Sequence, residues 1–288
     1  MKSLKITAIV ALATLTLAGC AATQEEATGP TVISYDHGAL DTLLELGVED
    51  KVLAIPQRGL PDYLSHFGNE LPDAGTLKVP DLQEIQALQP EMVLMTSRQA
   101  EAMEAVAGIT RVKDVTLPAG EYRESVSSMA LELGGLYDRE DLASHKLDAL
   151  WQHVADQKAK VADAGKVTVV THNEGNYSLR MEPAIYELLE LLPAAVPDSV
   201  ESVTHGERTF YPVDAEILSE MAPETLFVVD RSAAIGAEPL EQETLQSAMD
   251  SAGGDSQLML LNPGLWYLSG GGLQSVRLQV DEVVNALQ

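Results

Sequence analysis

Asp81 to Leu94 reads DLQEIQALQPEMVL, and Asp214 to Val228 reads DAEILSEMAPETLFV. Each stretch is a short helical pattern, then Pro-Glu, then a continuous apolar run. Proline lacks the N–H that would carry a helix onward, so the helix stops there and the apolar run reads as a buried strand. The same unit occurs once in each half of the chain, which predicts two similar α/β lobes.

Working outward, the first half alternates short β-branched runs with helical stretches. Thr31 to Ile33, Lys51 to Ile55, Met92 to Met95 and Val112 to Thr116 read as strands. Ala39 to Leu46, Leu82 to Leu88, Gln99 to Ala107 and Tyr122 to Leu133 read as helices. Alternation of this kind implies βαβ units and a mostly parallel sheet. Arg139 to Ala164 has neither Gly nor Pro. It carries Leu142, Leu147, Leu150, Trp151, Val154 and Val161 at helical spacing, so it reads as one long connecting helix. The alternation then resumes. Strands are expected at Lys166 to Thr171, Leu226 to Asp230 and Gln257 to Leu261. Helices are expected at Ala184 to Leu192, Ala215 to Met221, Leu240 to Ala252 and Leu273 to Leu287. The fold class is therefore α/β, two lobes joined by a single helix, with the ligand expected in the crevice beyond the carboxyl ends of the strands.

Composition narrows the function. The 288 residues carry 18 Lys+Arg against 44 Asp+Glu, a formal net charge of −26. Phosphate binding needs a basic stripe that such a chain does not offer, so no nucleic-acid partner is expected. Lys2 and Lys5 precede an apolar run from Ile6 to Ala18 that is too short for a permanent membrane span. The run ends in Leu17-Ala18-Gly19-Cys20, similar to a bacterial lipobox. Residues 1–19 are expected to leave as a signal peptide and Cys20, the single cysteine, to take the lipid. Residues 20–30 would then form a polar tether, 31–138 the first lobe, 139–164 the linker helix and 165–288 the second lobe. Loss of Lys2 and Lys5 makes the mature chain two charges more acidic.

No catalytic motif is found. The chain has no P-loop, no His-Glu-x-x-His and no Gly-x-Ser-x-Gly, and Gly270-Gly271-Gly272 lacks the context of a dinucleotide fold and reads as a close-approach turn. Arginine placement carries more information. Of nine arginines, Arg98 and Arg231 directly follow expected strands, and Arg180 lies in the loop after the strand at Lys166 to Thr171. A guanidinium there stays charged and points into the crevice. The plainer alternative is a nearby carboxylate partner for each, such as Asp230 for Arg231. His205 and Tyr267 sit in loops, and imidazole with phenolate can complete the coordination of a ferric ion that has open positions. The remaining histidines read as structural.

Together these segments resemble the lipid-anchored substrate-binding proteins of iron–siderophore ABC importers, in particular those for ferric catecholates. The resemblance rests on DHGALDTL from Asp36, LPDYL from Leu60, GTLK from Gly75, TSRQ from Thr96, THG from Thr204, FVVDR from Phe227, WYL from Trp266 and GGGL from Gly270. It implies a helical-backbone (class III) binding protein and no enzymatic activity. It further implies Arg98, Arg180 and Arg231 around an anionic ferric complex, with His205 and Tyr267 as direct ligands to Fe(III) held by a tetradentate siderophore. The metal is cargo, and no permanent cofactor is expected. Glutamates on each lobe, Glu84 (beside Gln83) and Glu216, would dock to the inner-membrane permease. The chain is expected to be a membrane-anchored monomer on the periplasmic or extracytoplasmic side. Haem, cobalamin or a hydroxamate siderophore stand as other cargoes, and a metal-dependent enzyme or a purely structural lipoprotein as other classes.

Overall fold

A computed structural model describes residues 28–118, 120–206 and 208–288. The expected signal peptide, Cys20 and the start of the expected tether lie outside the described residues. The first lobe contains β1 (Val32–Ser34), α1 (His37–Glu45), β2 (Val52–Ala54), α2 (Leu82–Leu88), β3 (Met92–Met95), α3 (Ala100–Ala107) and β4 (Arg111–Asp114). Its sheet has the order β2-β1-β3-β4, parallel throughout. Two helices follow, α4 (Tyr122–Leu136) and α5 (Glu140–Lys160). The second lobe begins with β5 (Val167–Asn173), β6 (Asn176–Leu179), the hairpin β7 (Val203–His205) and β8 (Arg208–Phe210), and β9 (Pro212–Val213). It continues through α6 (Ala215–Met221), β10 (Thr225–Asp230), α7 (Arg231–Ala234), α8 (Gln242–Ser251), β11 (Gln257–Leu261) and α9 (Leu273–Ala286). Its sheet runs β11-β10-β5-β6-β9.

The two repeated stretches fold alike for the same local reasons. Asp81 accepts N–H bonds from Gln83 (2.9 Å) and Glu84 (3.1 Å), and Asp214 accepts one from Ile217 (2.9 Å). These caps satisfy first-turn donors that have no partner within the helix. Gln89 and Ala222, each directly before its proline, turn left-handed (φ 50° and 44°) and end α2 and α6. The strands that follow are buried along their whole length.

The second lobe differs from expectation in its strands and in one of its helices, and it adds the hairpin β7–β8 and the short α7. Its sheet is mixed, because β6 runs antiparallel to both β5 and β9. The helix expected over 184–192 is a single wide turn, Ala184–Leu188. Glu190 adopts φ 54°, and the chain then joins β5 as Val167 N–H meets Leu192 O (2.9 Å) and Ala194 N–H meets Val167 O (3.0 Å).

Both α4 and α5 belong to both lobes. Met129, Leu133 and Ala143 pack in the first core with Leu40 and Leu94. Val126, Ala130, Leu147, Leu150, Trp151 and Val154 pack in the second with Phe227 and Val276. Each large side chain buried in this way contributes roughly 1.5–3 kcal/mol, which makes the pair a stiff spine. Along the back, α1 meets the start of α9 at glycine contacts. A Cβ on Gly38 would lie 2.1 Å from Gly270 O, and one on Gly272 would lie 2.1 Å from the Asp41 carboxylate. The seam closes only because neither residue has a side chain. With the back sealed, the opening between the lobes faces the other way.

Candidate functional site

That opening is a cleft of about 1520 Å³ bounded by both lobes. The segment after β3 is shaped by a capping box: Thr96 Oγ1 accepts from Arg98 N–H (3.2 Å) and Gln99 Oε1 accepts from Thr96 N–H (2.8 Å). Gln99 is buried and donates to Tyr35 O, so the turn is pinned from beneath. Arg98 is thereby aimed across the cleft, where it donates to Tyr267 O in the other lobe at 3.3 Å.

Tyr267 lies in a one-turn π segment, Gly264–Leu268. Its phenol oxygen accepts from Arg231 Nε at 2.8 Å, and the Arg231 guanidinium stands 5.7 Å from the ring centre. Arg231 also donates to Asn173 Oδ1. Arg180 Nη2 donates to Trp266 O at 3.0 Å, and its Nε to the buried Glu182 carboxylate. Three of the sequence-predicted arginines thus converge on Trp266 and Tyr267.

Arg180 reaches this point by a route the sequence does not predict. It stands at the end of β6, level with Val169 of β5, rather than in a loop beyond the sheet. The chain folds back at Glu174 and Gly175, both at positive φ, so Arg180 enters the cleft by side-chain length. Nor does Asp230 neutralise Arg231. Its carboxylate accepts from Leu240 N–H (2.7 Å) and Ala233 N–H (3.2 Å) and lies 2.8 Å from His172 Nδ1. His172 Nε2 accepts from Gly175 N–H (3.0 Å), so the imidazole proton sits on Nδ1 and points at Asp230. Burial pushes the Asp230 carboxyl up, but the His172 bond and the two N–H groups together hold it below the usual carboxylate range. This buried pair fixes the strand ends from which Asn173 and Arg231 project.

Arg58 and Lys78 also line the cleft, and the sequence reading did not include them. Arg58 follows β2 by four residues, so the rule that found Arg98 would have found it too. It donates to Ile235 O of the second lobe at 3.4 Å. His205 is the last residue of β7, and its side chain lies outside the described residues. Glu84 and Glu216 occupy the first turns of α2 and α6, Glu216 exposed and Glu84 half-buried beside exposed Gln83. Counted from the capping aspartates, Gln83 rather than Glu84 matches Glu216.

Behind the cleft, charge is treated differently. Asp41 accepts from Gln274 N–H (3.1 Å), Ser275 N–H (3.0 Å) and Tyr63 Oη (3.1 Å), and burial pushes its carboxyl up to about 7 against those bonds. His37 Nδ1 lies 3.0 Å from Leu268 O. Burial pushes its imidazole down to about 4, with the nearby Arg98 charge acting in the same direction. Among the described residues no cluster of three or more His, Cys, Asp or Glu could hold a metal, and no helix is long and apolar enough to cross a membrane.

The profile of the family described as "Periplasmic binding protein" matches residues 32–261. The petrobactin-binding protein YclQ of Bacillus subtilis (strain 168) is 30% identical over 264 residues, covering 89% of this chain and 82% of the relative. Its crystal structure superposes with a TM-score of 0.80 at 29% identity, over 91% of this chain and 93% of that one. The ferric-anguibactin-binding protein FatB of Vibrio anguillarum is 24% identical over 272 residues, again 89% of this chain and 82% of the relative.

Proposed function

The chain belongs to the periplasmic binding protein family, and from that premise we propose that it captures a ferric catecholate siderophore and delivers it to an ABC permease for iron uptake. The names of YclQ and FatB, which refer to petrobactin and ferric anguibactin, support a siderophore as cargo. The observation that carries the reading is the convergence of Arg98 from one lobe and Arg231 from the other on Tyr267, with Arg180 on the adjacent Trp266 carbonyl.

Catecholate oxygens are hard anionic donors, and their ferric complexes keep negative charge. Guanidinium groups meet such oxygens with directed N–H bonds and remain charged throughout. A tetradentate bis-catecholate leaves two iron positions open, which Tyr267 and His205 would take. The Arg231 N–H holds the Tyr267 oxygen in place for that role. Cys20 would carry the lipid that keeps the protein at the membrane. Glu216 with Glu84 would mark the lobes for the permease.

Titration with a ferric bis-catecholate is the test, with the iron-free chelator as control. The expected result is one-to-one quenching of tryptophan emission and a shifted charge-transfer band. Trp266 is buried, with its indole N–H on Glu282 (2.6 Å), so quenching would come by energy transfer to the chelate rather than by contact. Absence of both changes at micromolar ligand would refute the reading. A His205→Ala variant with unchanged spectrum and affinity would refute direct ligation by that residue alone.

A further inference from the structure

The cleft has two chemically distinct parts, and only one is explained by an anionic head. Its volume of about 1520 Å³ exceeds the ~300–1,000 Å³ usual for a small-molecule site. The arginines gather at Trp266 and Tyr267. Elsewhere in the same cleft the first lobe presents Val79, Leu82, Ala102 and Ala105, faced from the second lobe by Ala234 and Ile235.

This wall is apolar, and part of it is bare. Val79 is 65% exposed and Leu82 37%. Val79 is not on a loose loop. Its N–H donates to Thr76 Oγ1 (2.9 Å), its carbonyl accepts from Thr76 N–H (3.0 Å), and Gly75 at φ 101° makes the tight turn. Ala102 and Ala105 stand three residues apart on one face of α3, where small side chains leave a trough. Arg58, Lys78 and Glu101 also line the cleft, so it suits a flexible chain lying along the wall with its edges wet.

Resting on the siderophore reading above, we propose that the cargo is amphiphilic, with its ferric catecholate head among the arginines and one aliphatic arm along the shelf formed by Val79, Leu82, Ala102 and Ala105. Continuity of the shelf with the cationic end, inside one cavity, makes a single molecule the occupant. Each methylene moved from water onto apolar surface tightens binding about fourfold.

The test uses two ferric bis-catecholates with the same head, one bare and one bearing a decyl chain, in detergent-free buffer below their aggregation concentrations. Dissociation constants are measured for the wild type and for a Val79→Asp, Leu82→Asp double variant, whose exposed positions tolerate charge. The expected result is at least tenfold tighter binding of the decyl chelate to the wild type, with that ratio falling towards one in the variant. Equal affinity of the two chelates for the wild type, or an unchanged ratio in the variant, would overturn the proposal while leaving the siderophore reading intact. Binding of neither chelate would overturn both.

Discussion

The two lobes meet on two sides, and the sides handle charge in opposite ways. At the back seam, the α9 N-terminus gives its N–H groups to Asp41, Leu268 O meets His37, and glycines bring the backbones into contact. Ionisable groups there are enclosed and bonded within the protein. In the cleft, Arg98 and Arg231 donate to neutral groups and form no ion pair among the described residues. Arg180 is paired with Glu182. The seam encloses Asp41 and His37 on backbone and hydroxyl partners rather than on opposite charges, whereas the cleft leaves Arg98 exposed and Arg231 half-buried, where a charge costs little to keep. The seam brings the lobes into contact, and the cleft holds the arginines on which the proposed function rests.

The seam can be broken through pH, and this carries the largest expected effect. Asp41 has a raised carboxyl, so between about pH 4 and 7 the unfolded chain ionises first and stability falls as pH rises, by roughly 4 kcal/mol in all. His37 has a depressed imidazole. The unfolded chain therefore takes up a proton first as pH drops from about 6.5 to about 4, and stability rises with pH by roughly 3 kcal/mol over that span. In the wild type the two slopes oppose each other. Relative to it, His37→Gln should lose stability as pH climbs from 4 to 6.5, and Asp41→Asn should gain it between 4 and 7. Denaturant unfolding across pH reads both, and parallel curves for all three proteins would remove titration from the account.

A smaller structural effect comes from Gly272→Ala. Its Cβ would meet the Asp41 carboxylate at 2.1 Å and Gly38 O at 2.2 Å. A loss of about 3 kcal/mol is expected, with the cleft residues untouched. Thermal unfolding measures this, and an unshifted midpoint would mean that the lobes are not held by that contact.

The cleft side is sharpened by two opposed substitutions. Arg231→Ala should weaken ferric bis-catecholate binding by about 2 kcal/mol, roughly thirtyfold. Glu182→Gln removes the one carboxylate that pairs with a cleft arginine among the described residues and should tighten binding by about 1 kcal/mol, roughly fivefold at low salt. If both variants weaken binding equally, the charge left in the cleft is not what selects the cargo.

Much of this architecture was legible where one element's pattern is local. Asp81, Pro90, Asp214 and Pro223 mark α2, β3, α6 and β10 because capping and helix-stopping act over a few residues. The glycine turn was legible as a close approach, and Gly272 shows what it approaches. The strands β6 and β9 were not, because they are short, half-polar and paired only through tertiary contacts with β5 and each other. Pairing of the same kind with β5, at Leu192 and Ala194, replaces the end of the helix expected over 184–192. For the site, Arg98 and Arg231 were legible from strand ends, whereas Arg180 arrives by a turn that the sequence reading took for a loop. His172 and Asp41 carried no signal, since their partners lie 58 residues and more than 230 residues away.

The central claim is that an anionic ferric chelate sits among Arg98, Arg180 and Arg231 against Tyr267. A crystal structure of the protein with ferric bis-catecholate, with an anomalous difference map recorded at the iron edge, tests it most directly. The account predicts one iron peak in the cleft within coordination distance of the Tyr267 oxygen, with the arginine N–H groups on catecholate oxygens. An iron peak outside the cleft, or chelate in the cleft with the three arginines turned away, would contradict it.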